Sequence, residues 1–309
     1  MPPSARITRK RRNVGALLPL RYNGCRSRMA EKICIVTGAS SGIGKATAAG
    51  LAARGFRVVM VCRNPARGDR ARQEILAGNG ALQVDLMIAD LASQQAIRRL
   101  AEEIERRYSR LDVLVNNAGL MIGRRSLTPD GLEATFGVNY LAGFLLTHLL
   151  LDMLRSSAPA RIVNISSVAH LVGKINLDDL QSERSYQEFL TYASSKLANV
   201  LFTYELARRL EGTGITANCL HPGGVATNLG SRPVGFAGVI WRIVKLFAKS
   251  PRRGARTPIF LACSPTIEGV SGKYFVGRRP RSSSRLSYDR DLARRLWDAS
   301  ARLAGLSPP

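Results

Sequence analysis

The sequence of 309 residues lacks any apolar run that approaches the roughly 20 residues needed to cross a membrane. It also contains few cysteines and no Cys-x-x-Cys pair, which argues against a disulfide framework and against a zinc site; the five are Cys25, Cys34, Cys62, Cys219 and Cys263. Such scattered cysteines fit a reducing compartment. We therefore expect a cytoplasmic protein without a metal site and without a transmembrane helix.

Acidic residues are scarce as well, since 22 Asp and Glu face 46 Lys and Arg for a net charge of +24. Segments 1–28, 242–256 and 278–309 together carry +19 of this charge. Basic segments can attract nucleic acid, anionic lipid or acidic partners, but a solvated arginine-rich surface is the interpretation we prefer. Because no recognition motif and no interleaving of aromatic and basic residues is present, we expect no specific nucleic-acid binding.

The two ends of the chain differ in composition from its middle, which has no polar linker and no internal repeat. We expect 1–28 to be a basic, disordered extension, 29–277 to be the folded domain, and 278–309 to be an arginine-rich C-terminal tail or helix. Met29 precedes the first predicted strand by four residues, and we interpret it as the natural start. An organellar targeting segment is the alternative interpretation of 1–28.

Short apolar strands alternate with amphipathic helices through the middle of the chain. This pattern predicts an α/β fold, namely a single-domain doubly wound parallel sheet (a Rossmann fold) with helices on both faces. The predicted strands are Ile33–Val36, Arg57–Cys62, Leu82–Leu86, Val113–Val115, Arg161–Ile165 and Ile215–Leu220. The predicted helices are Gly42–Arg54, Pro65–Ala77, Gln94–Tyr108, 132–154 and Tyr186–Glu211.

A glycine-rich turn joins the first predicted strand to the first predicted helix. Glycines at this point allow a tight turn and a close approach of the backbone to a diphosphate, which the helix N-terminus then attracts. A purely structural turn is the alternative, but a strand-to-helix context is the one that dinucleotide binding requires. The predicted cofactor contacts here are Gly38, Ser40, Ser41, Gly42, Ile43 and Gly44.

The end of the second predicted strand indicates which nicotinamide cofactor binds. NAD sites place an acid there for the ribose hydroxyls, whereas NADP sites offer arginine to the 2′-phosphate. Here Cys62 stands at the position of the acid, Arg63 follows it, and Arg67 is a second cation nearby. The pattern favours NADP(H) over NAD(H), with Arg63 as a surface cation being the alternative.

Tyr192 and Lys196 are four residues apart in a predicted helix and therefore share one helix face. A nearby cation favours the tyrosinate, so Tyr192 is predicted to act as the acid or base that exchanges a proton with a substrate oxygen. The fifth predicted strand ends in two serines, and a hydroxyl there would hydrogen-bond the same oxygen. We choose Ser167 for this role and keep Ser166 as the alternative.

Together these motifs resemble the short-chain dehydrogenase/reductase superfamily and, within it, the retinol dehydrogenase-like group, over about residues 31–275. The resemblance rests on motifs in family order: Thr37–Gly44, Asp90-Leu91, Asn116-Asn117-Ala118-Gly119, Asn139, Ser166-Ser167, Tyr192 with Lys196, and Pro222-Gly223. Two stretches indicate the retinol-type group: Asn164-Ile165-Ser166-Ser167-Val168-Ala169-His170 and Ser195-Lys196-Leu197-Ala198-Asn199-Val200-Leu201-Phe202.

The resemblance implies further roles. Asn139 would hold a water that links Lys196 to solvent, and Lys196 would also bind the nicotinamide ribose. Asp90, with Leu91, would lie by the adenine, and Thr227 would touch the carboxamide. The other implied cofactor contacts are Asn117, Ala118, Gly119, Pro222, Gly223 and Val225.

A variable loop at about 228–250 is implied to cover the substrate. Its apolar residues, which include Phe236, Trp241 and Phe247, alternate with Arg242, Lys245 and Lys249 as in a basic amphipathic helix. We expect a lipophilic substrate and a peripheral membrane contact through this lid; a simple lid with solvated cations is the alternative.

The sequence thus predicts an NADP(H)-dependent oxidoreductase that interconverts an apolar aldehyde or ketone, retinal-like or otherwise lipophilic, with its alcohol. The alternative is a catalytically silent NADP-sensing regulator or scaffold with the same fold. A homo-oligomer is compatible with the sequence.

Overall fold

Apolar and largely β-branched segments form the strands of one sheet. A computed structural model describes residues 31–78, 83–223 and 250–306. The eight strands among these residues are β1 Ile33–Thr37, β2 Arg57–Cys62, β3 Val84–Ile88, β4 Val113–Asn116, β5 Ala160–Ile165, β6 Ile215–His221, β7 Tyr274–Val276 and β8 Arg279–Arg281. The predicted α/β fold with a doubly wound sheet is confirmed.

The strand order β3-β2-β1-β4-β5-β6-β7-β8 reverses direction between β1 and β4. Strands β1 to β7 are parallel, and β8 pairs antiparallel with β7. Val36 of β1 lies beside Met60 of β2 on one side and Val115 of β4 on the other. Because chains leaving β1 and β4 diverge, a crevice opens at the carboxyl ends of these two strands, where ligands bind in such sheets.

Helices cover both faces of the sheet. They are α1 Gly42–Ala52, α2 Pro65–Ala77, α3 Gln94–Arg107, α4 Ala134–Phe136, α5 Ala142–Leu149, α6 Leu151–Ser156, α7 Glu188–Arg209, α8 Pro251–Gly254, α9 Arg256–Cys263 and α10 Arg290–Leu303. Alternate residues of β1 serve the two faces: Ile33 and Ile35 pack with α3, α5, α7 and α10, whereas Cys34 and Val36 pack with α1, α2 and α9. In the described ranges, no helix combines the length and apolarity that a membrane span requires.

The predicted helix 132–154 is not continuous. A π-helical turn, Gly137–Leu141, separates α4 from α5, and Asn139 lies within this turn. Such turns insert one extra residue into the helix and recur at functional sites. A hydrophobic pattern does not reveal the insertion, because the side chains on both sides of it remain buried.

The predicted boundary at residue 277 does not separate the C-terminal segment from the domain. β8 extends the sheet, and α10 buries Leu296 and Trp297 in the core against α7. The arginines of α10 are exposed, while its apolar residues are buried or partly buried. The arginine-rich segment 278–309 therefore contains an amphipathic helix that covers part of one face of the sheet.

Candidate active site

The glycine turn after β1 is too crowded for larger residues at two positions. Gly38 has φ +66°, and a Cβ on it would lie 2.8 Å from the Cα of Ala118. A Cβ on Gly44 would lie 2.4 Å from the carbonyl oxygen of Gly38 and 2.5 Å from Nδ2 of Asn117. The turn therefore folds tightly against the loop that follows β4, and α1 begins next to the crevice.

Hydrogen bonds fasten the same turn to the β4 loop. The Thr37 hydroxyl accepts from the amides of Asn117 (2.9 Å) and Ala118 (3.0 Å), and the Asn117 side chain donates to the Thr37 carbonyl oxygen (2.7 Å). Sequence reasoning placed Asn117 and Ala118 at the cofactor but gave Thr37 no role of its own. The structure shows Thr37 as the residue that joins the two loops.

The first turn of α1 fits a diphosphate. Ser41 is its N-cap with an extended backbone, its side chain makes no capping hydrogen bond, and no acid lies in the first turn. The amides of this turn are thus directed outward with the positive end of the helix dipole. Ser40 and Gly42 are partly accessible there, while Ile43 and Gly44 are buried beneath the turn. These residues fit the diphosphate of a nicotinamide dinucleotide.

Gly44→Ala is expected to weaken nicotinamide nucleotide binding by at least about tenfold, because the new methyl group must displace the Gly38 carbonyl or the Asn117 amide. Gly78→Ala is the matched control, since a Cβ there meets its nearest atom at 3.6 Å. Dissociation constants for NADPH from fluorescence titration measure the effect. Equal affinities of the two variants would contradict this account of the turn.

The end of β2 carries a buried thiol followed by an exposed cation. Cys62 is 2% exposed, and burial raises its pKa to about 11, so it remains a neutral thiol. Arg63 is exposed and makes no ion pair within the part of the chain that the structure describes. Its guanidinium is therefore available to an anion at this edge.

The remaining predicted cofactor contacts lie along the carboxyl edge. Asp90 is exposed after β3, where its carboxylate accepts from the amide of Ala92 (3.0 Å), and Leu91 is buried. Pro222 and Gly223 follow β6, and Gly223 has φ +88°. Val225, Thr227 and the predicted lid, except for Ser250, lie outside the described residues.

Helix α7 places Tyr192 and Lys196 on one face, with the Lys196 ammonium 5.6 Å from the centroid of the Tyr192 ring. Lys196 is 4% exposed and donates to the carbonyl oxygen of Ile165 (3.1 Å). Burial lowers its pKa to about 8. Burial raises the pKa of Tyr192, and a hydrogen bond with Ser167 opposes that rise. The phenol is thus protonated at neutral pH and ready to donate a proton.

The two serines after β5 have different surroundings. The Ser166 hydroxyl is buried and donates to the carbonyl oxygen of Lys196 (2.8 Å), so it is already used within the fold. The Ser167 hydroxyl contacts Tyr192 and also accepts from the amide of Ala169 (3.2 Å). The geometry favours Ser167 over Ser166 as the partner of Tyr192.

Asn139 is held rigidly next to Lys196. Its side chain exchanges hydrogen bonds with the backbone of Leu120 (2.7 and 2.9 Å) and donates to the Ser195 hydroxyl (3.0 Å). Gly119 separates the two groups: a Cβ there would lie 3.3 Å from the Lys196 ammonium and 3.4 Å from Oδ1 of Asn139. The predicted set Asn139, Ser167, Tyr192 and Lys196 is thus gathered at one edge.

A buried chain of side-chain amides and one hydroxyl supports this group, and sequence reasoning gave Asn164, Asn199 and Thr203 no part in the site. Asn199 donates to the carbonyl oxygen of Asn139 (2.8 Å), and the Thr203 hydroxyl donates to that of Asn199 (2.6 Å). Asn164 donates to Thr203 (2.9 Å) and accepts from Asn116 (2.9 Å). The i+4 spacing of Asn199 and Thr203 on a buried helix was the signal available in the sequence.

The short chain dehydrogenase family model matches residues 32–233. The chain therefore belongs to this family and is an oxidoreductase. It is 47% identical to mouse (Mus musculus) retinol dehydrogenase 14 over 296 residues, which cover 90% of this chain and 87% of that protein.

Solved structures with similar sequences have a similar fold. An uncharacterised protein from Mycobacterium Paratuberculosis is 34% identical with a TM-score of 0.73, covering 91% of this chain and 96% of its own. The Pseudomonas aeruginosa RhlG/NADP active-site complex is 26% identical with a TM-score of 0.61, covering 80% and 94%. The chain is thus a retinol dehydrogenase-like member of the family.

Proposed function

We propose that the protein is an NADP(H)-dependent oxidoreductase that interconverts an apolar aldehyde or ketone with its alcohol. The observation that carries this proposal is the grouping of Ser167, Tyr192 and Lys196 beside the glycine turn. A nicotinamide cofactor, when bound, supplies or accepts the hydride. The chain's own residues must therefore bind the substrate oxygen and move one proton to or from it.

Tyr192 is the group that moves this proton. In reduction its phenol donates to the carbonyl oxygen, and the Ser167 hydroxyl donates a hydrogen bond to the same oxygen as negative charge develops there. Lys196, a cation at neutral pH, stabilises the tyrosinate that remains until solvent restores its proton. Because burial raises the pKa of Tyr192, reduction is favoured at neutral pH, and alcohol oxidation is expected to quicken as the pH rises.

Exposed apolar side chains on the two elements that carry Ser167 and Tyr192 support a lipophilic substrate. Three of them follow Ser167 on the 3₁₀ turn Val168–Leu171 and just beyond it, and two lie at the start of α7, against which this turn packs. They are between 44% and 55% exposed: Val168, Leu171, Val172, Phe189 and Leu190. Met121 packs beside Tyr192 and Ala169. Retinal-like and other lipophilic carbonyl compounds would cover this surface.

The preference for NADP rests on Arg63, on the absence of an acid at the end of β2, and on the likeness to a protein solved with NADP. Arg63→Ala is expected to raise the KM for NADPH by about tenfold or more while leaving the KM for NADH within about twofold, because a hydrogen bond between charged groups contributes ~1.5–3 kcal/mol. Arg106→Ala, at the far end of α3, is the control. An equal loss with both cofactors would show that Arg63 does not select the 2′-phosphate.

The function is tested by following NADPH oxidation with a panel of apolar aldehydes and ketones, with NADH in parallel. Turnover that rises with the apolar size of the carbonyl compound supports the proposal. Tight binding of NADPH without turnover of any carbonyl or alcohol would favour the alternative, a silent cofactor sensor. The positions of Tyr192 and Lys196 favour the enzyme.

A further inference from the structure

The segment that follows β8 contacts the loop that carries Ser167. The amide of Ser284 donates to Nε2 of His170 (3.1 Å), and Nδ1 of the same ring lies 2.7 Å from the carbonyl oxygen of Ser167. His170 is 1% exposed. One buried imidazole therefore connects a backbone amide near the C-terminus to the backbone of the serine that contacts Tyr192.

The partners determine the state of this imidazole. A carbonyl oxygen only accepts, so Nδ1 of His170 carries the hydrogen; an amide only donates, so Nε2 carries none. The ring is thus neutral, in agreement with burial, which lowers its pKa. The His170 ring packs against that of Tyr274 in a tilted arrangement, with 4.7 Å between the ring centroids. Both ring nitrogens of His170 therefore have a hydrogen-bond partner and form a bridge from Ser284 to Ser167: Nε2 accepts from the Ser284 amide, and Nδ1 donates to the Ser167 carbonyl oxygen.

The C-terminal end of the bridge is itself anchored on α7, the helix that carries Tyr192. The Tyr204 hydroxyl lies 2.7 Å from that of Ser283, and the Ser283 amide donates to the Tyr288 hydroxyl (3.1 Å). The rings of Tyr204 and Tyr288 stack at 5.5 Å. Ser167 and α7 are thus connected by a second route, which passes from His170 through the segment that follows β8.

We propose that His170 is a positioning residue, through which the Ser284 amide fixes the Ser167 hydroxyl at Tyr192. This inference rests on the proposed function, since it concerns the same two hydroxyls. The family match ends at residue 233, so the bridge draws on a part of the chain beyond it. A reacting group that is displaced even slightly loses much of its rate advantage, which gives this remote amide an effect on turnover.

The chain offers a matched pair of variants at one residue. Ser284 has φ −62°, an angle that proline adopts, so Ser284→Pro keeps this backbone angle while a ring carbon replaces the N–H that bonds His170. Ser284→Ala keeps the N–H and removes a hydroxyl that has no hydrogen-bond partner among the described residues. We expect Ser284→Pro to lower kcat about tenfold with the KM for NADPH unchanged, and Ser284→Ala to match the wild type within about twofold.

Two further measurements separate positioning from stability. The primary isotope effect with deuterated NADPH is expected to rise in Ser284→Pro, because misplacement of Ser167 slows the chemical step itself. His170→Asn, which keeps a donor for Ser167 but loses the acceptor for Ser284, is expected to behave in the same way. If both variants fold and their kcat and isotope effect equal those of the wild type, the proposal is overturned.

NMR of isotope-labelled histidine reports the hydrogen bonds of the two His170 ring nitrogens and does not depend on turnover. We expect the Nδ1–H tautomer at His170 in the wild type and a changed Nε2 resonance in Ser284→Pro. Absence of turnover by the wild type with every carbonyl would defeat the proposed function alone. An unchanged His170 resonance in Ser284→Pro would defeat the bridge alone.

Discussion

Tyr192→Phe is expected to lower kcat for carbonyl reduction by about 10³-fold, within the ~10²–10⁴-fold range of general acid catalysis. The ring still fills its place beside Ala169 and Ala193, since only the hydroxyl is removed. What is lost is the phenol hydroxyl that contacts Ser167 and that, in the proposed reaction, gives its proton to the substrate oxygen. Steady-state reduction of an apolar aldehyde by NADPH measures the effect.

Tyr108→Phe is the matched control, because it removes a phenol hydroxyl that bonds Asp85, away from the carboxyl edge. Its kcat should stay within about twofold of the wild type, while NADPH affinity is unchanged in both variants. A Tyr192→Phe protein that keeps more than about a tenth of its kcat would show that another group protonates the substrate.

The fold was largely predictable because strand and helix periods dominate the middle of the chain. β2 and α2 have the predicted bounds, since Gly55 precedes the strand and Asn64-Pro65 begins the helix with a capping side chain. The C-terminal elements were not foreseen as part of the domain. β8 is a three-residue strand rich in arginine, and its pairing with β7 depends on a tertiary contact rather than on any local pattern.

The candidate site was predictable where its chemistry depends on residue type and spacing, as for Tyr192 and Lys196. It was not predictable where two distant segments meet through the backbone. The amide of Ser284 has no sequence signature, and the pairing of His170 with it spans 114 residues. Likewise, the Thr37 hydroxyl joins two loops that are 80 residues apart in the chain.

Burying a charged group near the site lowers the stability of the fold. Lys196 is the clearest case, because it is a nearly inaccessible cation with one carbonyl partner and no carboxylate partner among the described residues. A buried ammonium without a counter-ion destabilises the fold unless its pKa falls. The burial of Lys196 thus costs stability at the position where the proposed reaction needs a cation.

Lys196→Met is expected to lower kcat about 10²-fold, because Tyr192 loses the cation that stabilises its anion. The same change should also raise the free energy of unfolding near neutral pH, because it removes a buried ammonium. With a pKa lowered from 10.5 to about 8 in the folded protein, Lys196 costs about 3 kcal/mol of stability below pH 8. Above that pH the unfolded chain binds more protons than the folded one, so this cost disappears as the pH rises towards 10.5.

The test compares the free energy of unfolding of variant and wild type at about pH 7 and about pH 10 by urea titration. Comparing one variant at two pH values cancels the packing change and the unpaired carbonyl oxygen of Ile165. The free energy of unfolding of Lys196→Met minus that of the wild type should be more positive at the lower pH, by up to about 3 kcal/mol. Lys174→Met, which removes an exposed ammonium, is the matched control. A pH-independent difference for Lys196→Met would mean that its ammonium is not destabilised by burial.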